Sequence, residues 1–308
     1  MGRSDKHVKK KGKKWLKIIG SIIGIFILAV AGYAFYLYQN LATTVDSMHE
    51  ERTPSSLRDT DINLDKADPI SILLMGVDER TGDKGRADSL IVVTLNPNTN
   101  SMNMLSIPRD TRVEIVGKGI QDKINHSYAF GGTDMTVQTV EKFLDIPIDY
   151  YVKINMESFQ DIVNTLGGIT VNNSKAFTHG GHNFAEGQIT LNGEQALIFS
   201  RIRSIDSDFG RQDRQREVIR AIIDAGASPS TITKLDDLLA ISGDNITTNM
   251  TFKEMRTLQA NYADARRNNE QETIQGTGQT IGGIWYLIVS EEERQAVISR
   301  LKTNLEIN

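Results

Sequence analysis

Three short apolar runs between residues 70 and 107 dominate the pattern of hydrophobic and polar positions along the chain. They are Ile70–Val77, Ser89–Leu95 and Met102–Ile107. Each is rich in Ile, Val, Leu or Met and is bounded by turn residues, a pattern that predicts a buried strand. The five residues 96–100 are too few for a parallel crossover, and the connection 78–88 has no helical pattern. The sequence therefore predicts an antiparallel meander of three strands.

The remainder of the folded region shows helical and strand-like periodicity in turn. Apolar residues three or four positions apart predict helices at 133–144, 156–166, 193–199, 212–225, 231–240, 251–265 and 291–305, and a helical region opens at Lys123. Further strands are predicted at 111–116, 149–154, 169–171, 183–184, 189–191, 273–278 and 281–289. The glycine-rich stretch 276–283 resembles a phosphate-cradling loop, but it lacks the GK[ST] ending of a P-loop. Because glycine-rich turns between strands are common, this stretch carries little weight as a ligand site.

The predicted meander brings charged residues together at one edge of the sheet. Asp78 ends the first strand, Asp88 begins the second and Arg109 follows the third, while Arg80 and Arg86 lie in the loop above them. Residues directly opposite on antiparallel strands lie ~5 Å apart, and two carboxylates that close repel each other unless a positive charge lies between them. A divalent cation would supply that charge, since Mg²⁺ typically takes one or two carboxylates together with phosphate oxygens. The alternative is that Asp78 and Asp88 only cap turns.

A second charged segment, residues 201–215, leads into a predicted helix. Arg201 and Arg203 are two positions apart, so they point to the same side of an extended chain. The apolar stripe of the helix, traced back to its start, reaches Arg211, Arg214 and Gln215. Arginines at a helix N-terminus oppose the helix dipole, and an anion bound at the helix start would remove that conflict. The alternative is a surface salt-bridge cluster with neighbouring carboxylates, namely Asp206, Asp208 and Asp213.

The first 68 residues have the pattern of a membrane anchor. Residues 18–38 contain no charged side chain, and as a helix they are long enough for a bilayer core of ~30 Å, which takes about 20 apolar residues. A cleaved signal peptide is the alternative, but the apolar pattern continues past the small residues 29–31. Residues 1–17 are basic and should stay cytoplasmic by the positive-inside rule. Residues 39–68 are then an extracytoplasmic stalk, and residues 69–308 a catalytic domain outside the cell membrane.

Charge and cysteine content exclude several classes of function. The net charge of −4 divides into +7 for residues 1–17 and −11 for the remainder, which holds 27 of the 35 basic and 38 of the 39 acidic residues. A nucleic-acid-binding domain is usually basic over its folded body, so that class is disfavoured. The chain has no cysteine, which excludes disulfides, thiolate zinc sites and a cysteine nucleophile.

Taken together, the motifs resemble the LytR–CpsA–Psr family of cell-wall enzymes, and most closely its LytR-type members from Gram-positive bacteria. The resemblance covers roughly residues 70–225 and rests on segments that follow one another with near-matching spacing: GVDER, GRADSL, SIPRDT, KINHSYAFGG, IDYYVKINMESF, LGGITV, LNGEQAL, RIR and DFGRQDRQ. The short basic tail, single anchor and outside domain match as well. The sequence departs from the family at 204–207, which is shorter than the usual insert, and Ser207 stands where a glycine is common.

The resemblance implies an α/β/α sandwich with a mixed central β-sheet and a phosphotransferase activity. The substrate would be an anionic glycopolymer on an undecaprenyl diphosphate carrier, and the acceptor a sugar hydroxyl of peptidoglycan. Wall teichoic acid is the preferred polymer, with teichuronic acid and capsule as alternatives. By motif, Asp78 and Asp88 would hold Mg²⁺ or another divalent cation, and Arg109 would act with them in catalysis. The resemblance assigns contact with the diphosphate to a larger set: Arg80, Arg86, Arg109, Arg201, Arg203, Arg211 and Gln215.

The residues themselves favour the same chemistry. Phosphoryl transfer depends mostly on positioning and charge stabilisation, and guanidinium forks suit diphosphate oxygens better than lysine does. The sugar hydroxyl would attack the phosphorus nearer the glycan. Asp78 or Asp88 is the candidate for accepting its proton, although a metal-bound carboxylate is a poor base. The predicted helices 133–144 and 156–166 would line a slot for the lipid between sheet and helices, or would make an ordinary core.

Two other functions are compatible with the motifs. A diphosphate hydrolase would use water in place of the sugar hydroxyl. A non-enzymatic membrane regulator would use the same domain for sensing, but a cytoplasmic tail of about seventeen residues is too short for a DNA-binding domain. Release of lipid phosphate without an acceptor would identify the hydrolase.

Overall fold

The computed structural model describes residues 48–58, 60–79, 85–206, 208–226 and 246–307, together with six isolated residues between 32 and 43. The chain divides into two compact units, Met1–Thr43 and Thr44–Asn308, and all elements named below belong to the second. Within the described residues, no helix combines the length and the apolar character that a bilayer crossing requires. The predicted tail 1–17, nearly all of the predicted anchor 18–38 and the predicted helix 231–240 lie outside the described residues.

The elements of the second unit alternate along the chain. The strands are β1 Ile70–Val77, β2 Ala87–Asn96, β3 Ser101–Ile107, β4 Arg112–Ile115, β5 Ile120–Lys123, β6 Tyr150–Asn155, β7 Ile169–Asn173, β8 Phe177–His179, β9 His182–Phe184, β10 Gly187–Leu191, β11 Ile246–Thr248, β12 Asn268–Thr273, β13 Thr277–Ile281 and β14 Ile284–Ile288. The α-helices are α1 His126–Leu144, α2 Met156–Leu166, α3 Gly193–Arg201, α4 Asp208–Gly226, α5 Phe252–Asn261 and α6 Glu291–Leu305. Two short 3₁₀ helices span Leu64–Lys66 and Ala263–Arg267.

A six-stranded mixed sheet in the order β11-β6-β1-β2-β3-β12 forms the centre of this unit. Strands β1, β2 and β3 are antiparallel neighbours, so the predicted meander is confirmed. Strand β6 joins β1 in parallel and β12 joins β3 in parallel. The C-terminal ends of β1, β3, β6 and β12 therefore meet the start of β2 at one end of the sheet, which is called the charged end below.

The two faces of the sheet are covered differently. On the closed face, Leu73, Met75 and Val77 of β1 pack against helices α1 and α6, for example against Val140 and Leu301, and all of these residues are at most 1% exposed. The intervening residues of β1 lie on the open face, where helix α4 and the segment around Tyr262 cover the sheet. The alternation follows directly from the two-residue repeat of a strand.

A second apolar cluster lies beyond the open face and holds α4 in position. It contains residues of α2, α3, α4 and the small hairpins between β7 and β10. At its centre the ring centroids of Phe177 and Phe184 are 4.5 Å apart, and that of Phe199 lies 6.0 Å from each. The buried α4 residues of this cluster are Val218 and Ala221, so the cluster holds the middle of that helix beside the open face.

Several predicted elements differ from the observed ones. The helical region was expected from Lys123, but Lys123 is the last residue of strand β5 and helix α1 begins at His126. Helix α1 also bends at Gly131 and Gly132, whose backbone angles are not helical. No single strand spans 273–278, because β12 ends at Thr273 and β13 begins at Thr277. Strand β12 escaped prediction because its sequence NNEQET has no apolar alternation. It lies at the edge of the sheet, where a short polar strand is protected against further pairing.

Several described residues between 48 and 68, within the predicted stalk 39–68, bond to the domain. Arg58 forms a bidentate salt bridge with Asp149 at 2.6 and 2.8 Å, and Arg52 Nη2 lies 2.8 Å from Glu141. The backbone N–H of Glu50 donates to Thr248. The sequence looked like a stalk because these contacts are made by charged side chains and backbone groups, which leave no apolar periodicity.

Candidate active site

A β-bulge at the charged end determines where Asp88 points. Strands β1 and β2 pair regularly up to Gly76 and Ser89, after which Val77 pairs with Ala87 and Asp88 is the extra residue. Ala87 and Leu90 both lie in the closed-face cluster, although residues three apart in a regular strand point to opposite faces. The backbone N–H of Asp78 donates to the carbonyl of Arg86. Asp78 is thus in register with Arg86, not with Asp88, and the bulge turns Asp88 away from the closed face.

The Asp88 carboxylate is held by two side chains from other elements. Arg109 Nη1 donates to Asp88 Oδ1 at 2.9 Å, and Asn125 Nδ2 donates to the same oxygen at 3.3 Å. The Asp88 side chain is 33% exposed and that of Arg109 is 25% exposed. Asp110 lies on the other side of Arg109, with its Oδ2 3.5 Å from Arg109 Nε, and its Oδ1 accepts from Lys123 at 2.6 Å. The structure therefore brings Asp88 and Arg109 together as the meander predicts.

The chain following β1 is anchored to the first turn of α1. The Tyr128 hydroxyl donates to the Glu79 carboxylate, and Lys153 Nζ lies 3.9 Å from the same group. Burial, and then the hydrogen bond to Glu79, raises the pKa of Tyr128, so this phenol remains a donor at neutral pH. Gly85 has a positive φ of 68°, and a Cβ there would collide with the carbonyl of Asp78. Arg80 lies outside the described residues, and Arg86 is exposed at the start of β2.

The segment 201–215 reaches the same end of the sheet. The Ser89 hydroxyl donates to Gln215 Oε1 at 3.4 Å, and Gln215 Nε2 donates to the carbonyl of Ser200 at the same distance. Arg201 lines the cavity that Ser89 and Gln215 also line. Arg203 is exposed in the loop after α3, whereas Arg211 is only 4% exposed. The two charged segments that are about 110 residues apart in sequence thus converge.

Two other arginines of α4 have a structural role. Arg214 donates to the carbonyls of Phe199 and Ile202 at 2.9 and 2.6 Å and forms an ion pair with Asp206. For Arg214 the salt-bridge alternative is therefore correct. Asp206 comes so close to helix α4 that a Cβ at Gly210 would collide with its carboxylate.

Arg216 pins α4 to the sheet. Its guanidinium donates to Ser106 at 2.8 Å and to Thr273, and it forms an ion pair with Asp213. Ser106 and Thr273 lie at the ends of the parallel pair β3 and β12. This polar contact sets the height of α4 above the open face close to the charged end.

An apolar cavity of about 450 Å³ lies between the open face and helix α4. Near the charged end its wall contains Gly76, Ser89, Arg201 and Gln215. Elsewhere its wall is formed by apolar side chains of the sheet and of α4, among them Ile72, Leu74, Val93, Val152, Val218, Ile219 and Ile222. It continues to Leu258, Tyr262 and Arg266 beyond the opposite end of β1. Cavities of 300–1,000 Å³ with few polar groups are typical ligand sites.

The lining corrects the predicted lipid slot in part. Helix α2 contributes Phe159, but the predicted helix 133–144 packs on the closed face through Val137, Val140 and Leu144. The largest share of the helical wall comes from α4. Its apolar stripe was evident in the sequence but was not assigned to the slot. Periodicity marks a buried helix face without saying whether a core or a cavity lies opposite it.

No group of three or more His, Cys, Asp or Glu side chains that could hold a metal ion is found among the described residues. The carboxylates expected to do so are Asp78, which is half-buried, and Asp88, whose hydrogen bonds from Arg109 and Asn125 both fall on Oδ1. Two carboxylates fit an ion that takes its remaining ligands from phosphate and water, as Mg²⁺ commonly does. They do not make a self-sufficient protein site.

Three contacts in the site were missed by sequence reasoning. These are the bonds of Asn125 to Asp88, of Tyr128 to Glu79 and of Ser89 to Gln215. Asn125 and Tyr128 lie in the KINHSYAFGG motif, which was noted without a role for either. Nothing in their spacing marks them, because each acts from the start of a helix on a strand about 40 to 50 residues earlier.

The bulged strand, the convergent arginines and the adjoining apolar cavity occur in a protein of the LytR_cpsA_psr family, to which this chain belongs. The model of that family matches residues 34–303, which confirms the resemblance seen in the motifs.

Several similar proteins are named as teichoic acid transferases. The polyisoprenyl-teichoic acid–peptidoglycan teichoic acid transferase TagU of Bacillus subtilis (strain 168) is 53% identical over 300 residues, which cover 97% of this chain and 98% of that protein. A crystal structure of B. subtilis TagU matches with a TM-score of 0.66 and 51% identity, covering 78% of this chain and 98% of that one. A structure of TagT bound to LIIa-WTA matches with a TM-score of 0.72 and 34% identity, covering 83% and 97%.

Proposed function

We propose that this chain transfers an anionic glycopolymer, wall teichoic acid, from an undecaprenyl diphosphate carrier to a hydroxyl of peptidoglycan. The observation that carries the proposal is the junction of a charged site with an apolar cavity. Ser89, next to Asp88, bonds to Gln215, and Ser89, Gln215 and Arg201 line the cavity. A polyprenyl diphosphate has the matching form, with a doubly charged head on a long apolar chain. The named relatives supply the polymer and the acceptor.

The arginines around the charged end would hold the diphosphate. In the free protein Asp88 offsets the charge of Arg109, and a diphosphate oxygen would take over that guanidinium as the substrate binds. Arg201 is favourably located because it lines the cavity that would take the first isoprene units. The remaining contacts proposed from the motifs are Arg80, Arg86, Arg203, Arg211 and Gln215.

Asp78 and Asp88 would hold Mg²⁺ or another divalent cation together with the diphosphate. When bound, such an ion offsets the charge that develops on the leaving lipid phosphate. Asn125 and Arg109 both bond to one oxygen of Asp88, so these residues orient the carboxylate before any ligand arrives. The bulge has the same effect, because it turns Asp88 toward the diphosphate site.

The reaction exchanges one bond at phosphorus. The acceptor hydroxyl attacks the phosphorus nearer the glycan, the bond from that phosphorus to the bridging oxygen breaks, and undecaprenyl monophosphate leaves. The hydroxyl proton passes to a carboxylate at the charged end, with Asp78 or Asp88 as the candidate. The apolar cavity keeps the lipid in place while the glycan side of the diphosphate faces the acceptor.

We also propose that residues 18–38 anchor the protein in the cell membrane as a single span, with 1–17 cytoplasmic and the domain outside. The absence of charge over 21 residues and the +7 charge before them support this arrangement. A membrane location suits a lipid-linked donor.

The test of the site is the loss of transfer in Asp88→Ala and Arg109→Ala. Removal of one transition-state contact typically lowers kcat about 10²–10³-fold, and we expect losses of at least this size with undiminished thermal stability. The matched controls are Asp264→Ala and Arg267→Ala, which remove an exposed Asp–Arg pair of 2.8 Å and should retain full transfer. Retained transfer in both site variants would reject the site. Release of undecaprenyl phosphate without acceptor, at an undiminished rate, would identify a hydrolase instead.

Removal of divalent cations should abolish transfer and added Mg²⁺ should restore it. As a readout independent of turnover, Mg²⁺ in the presence of a polyprenyl diphosphate should raise the Tm of the wild-type protein and not that of Asp78→Ala. An equal rise in both proteins would reject Asp78 as a metal ligand.

A further inference from the structure

The glycine-rich stretch 276–283 forms part of a β-hairpin, not a phosphate-cradling loop. Strands β13 and β14 are antiparallel and pair up to Ile281 and Ile284. The two loop residues, Gly282 and Gly283, have φ of 59° and 82°, which is the geometry of a two-residue hairpin turn that glycine permits. The turn accounts for these glycines, but it does not explain the exposed apolar side chains on either side of it.

The tip of this hairpin exposes large apolar side chains. Ile281, Ile284 and Trp285 are 37%, 47% and 49% exposed. The indole of Trp285 crosses to the neighbouring strand, where a Cβ on Gly278 would come within 2.9–3.2 Å of three indole atoms. Gly278 thus leaves the space that the indole occupies, and the ring is held across the hairpin with half of its surface open to solvent. A tryptophan fixed in this way is a binding platform ready for a ligand.

The hairpin is attached directly to the charged end of the sheet. The backbone N–H of Leu287 donates to the carbonyl of Asp110 at 2.9 Å, and Thr111 forms a bridge with Leu287. Asp110 is the residue whose carboxylate contacts Arg109 and Lys123. Trp285 precedes Leu287 by two residues, which is about 7 Å along a strand. The hairpin that carries the exposed indole therefore borders the charged end, and Trp285 is not among the residues that line the apolar cavity.

The chemistry of the hairpin favours a neutral sugar over a lipid surface. Residues 277–288 contain no charged side chain, whereas surfaces that bind anionic lipid carry lysine and arginine. Thr280 pairs with Trp285 and lies exposed on the same face of the hairpin, where its hydroxyl offers a hydrogen-bond donor and acceptor, whereas Gln279 pairs with Tyr286 on the opposite face. A pyranose ring presents an apolar C–H face together with hydroxyl and amide groups, which this combination of an aromatic ring and a neutral polar side chain matches.

We propose that Trp285, with Thr280 on the same face of the hairpin, binds the glycan strand of the acceptor and presents its hydroxyl to the charged end. The inference rests on the proposed function for the identity of the acceptor. It adds a binding site, since none of the residues assigned to the metal or the diphosphate belongs to the hairpin. No bond is made or broken at this surface.

The test uses the tryptophan itself as the probe. The chain has two tryptophans, so the full-length Trp15→Phe protein reports on Trp285 alone. In detergent micelles, addition of soluble peptidoglycan glycan strands should shift and saturably change its emission, without donor or metal. Reconstitution into nanodiscs containing phosphatidylglycerol should leave the emission unchanged. Because this measurement needs no turnover, it remains informative even if the proposed transfer fails.

Kinetics of transfer give the second readout. Trp285→Ala should raise the acceptor KM roughly two- to twelvefold, the change expected from loss of one aromatic contact. The donor KM, and kcat at saturating acceptor, should not change. The control Ile284→Ala, equally exposed in the same hairpin, should keep the wild-type acceptor KM, and Trp285→Phe should recover part of the loss even if the alanine variant is less stable. An unchanged emission with glycan strands together with an unchanged acceptor KM would overturn the proposal. An emission that responds to lipid and not to glycan would overturn it in favour of a membrane contact.

Discussion

The closed and open faces of one strand, β1, show how this domain separates stability from binding. On the closed face Leu73, Met75 and Val77 are at most 1% exposed and are packed against α1 and α6. On the open face Ile72, Leu74 and Gly76 border a cavity of about 450 Å³. The residues are neighbours in sequence and similar in hydrophobicity, so the difference comes from how the covering helices are attached.

Helices on the closed face are attached mainly by apolar packing, although Asn304 of α6 also bonds to Asn96 and Ser101. Helix α4 on the open face is attached by two buried arginines in its first half. Arg214 bonds to the carbonyls before α4, and Arg216 bonds to the ends of β3 and β12. With its first half bonded in this way and its side packed in the second cluster, α4 contacts the sheet at Ile219 and leaves a cavity beside that contact. The space beneath it stays available for a lipid chain.

The largest expected effect tests the two faces with a matched pair. Leu73→Ala should lower the free energy of unfolding by about 2–5 kcal/mol, because it opens a cavity in a close-packed core. Leu74→Ala should cost clearly less, since its side chain borders a cavity that already exists. Thermal and denaturant unfolding of the full chain would measure both.

The donor KM should show the opposite order of effects, with the larger change in the Leu74 variant. Leu74→Ala should raise the KM for the lipid-linked donor while Leu73→Ala leaves it unchanged under conditions in which both proteins are folded. Equal losses of stability in the two variants would mean that the open face is an ordinary core. The separation of functions described above would then be wrong.

Arg216→Met tests the polar attachment of α4. The variant leaves two hydroxyls, those of Ser106 and Thr273, without the guanidinium that they accept from, and each buried polar group left unsatisfied costs about 1–3 kcal/mol. We expect a lower Tm and a raised donor KM, since α4 is free to settle on the sheet. The control Arg220→Met removes a more exposed arginine of the same helix and should change neither. A Tm for Arg216→Met equal to the wild-type value would show that apolar packing alone holds α4.

Sequence reasoning recovered the closed face better than the open one, for a physical reason. The strands β1 to β3, the part of α1 at 133–144 and helix α6 follow from periodicity, because a packed core demands a regular apolar repeat. The open face uses the same repeat on Val218 and Ile222, although these residues border a cavity. Whether an apolar stripe packs on the sheet or borders a cavity depends on contacts such as those of Arg216. These contacts join residues far apart in the chain and leave no signal in the local sequence.

The candidate site divides in the same way. Asp78, Asp88 and Arg109 could be placed at one end of the sheet from strand directions alone. The bulge at Asp88 and the bonds from Asn125 could not, because a one-residue shift in register and a contact between distant elements both leave the local pattern unchanged. The role of Arg214 was also undecidable from the sequence, since an arginine at a helix start pairs with an anion in either interpretation.

The smallest expected effect concerns charge on the closed-face side, where packing dominates. Asp122, just before α1, bonds to His126 at 2.8 Å. Burial disfavours its ionisation, but the hydrogen bonds from His126 and from the backbone of Lys123 outweigh burial and lower the pKa of Asp122. A carboxyl whose pKa is lower in the folded state stabilises the fold above its unfolded pKa of about 3.9. That contribution is lost as the pH falls through the folded pKa.

Asp122→Asn should therefore lower the free energy of unfolding at pH 7 by only a few tenths to about 1 kcal/mol, as partly exposed ion pairs do. The difference from wild type should shrink as the pH falls below about 4, which thermal unfolding at a series of pH values would measure. His126→Gln, which removes the partner, should abolish most of the effect of Asp122→Asn in the double variant. A loss as large as that of Leu73→Ala would mean that a charged contact, and not apolar packing, holds the start of α1.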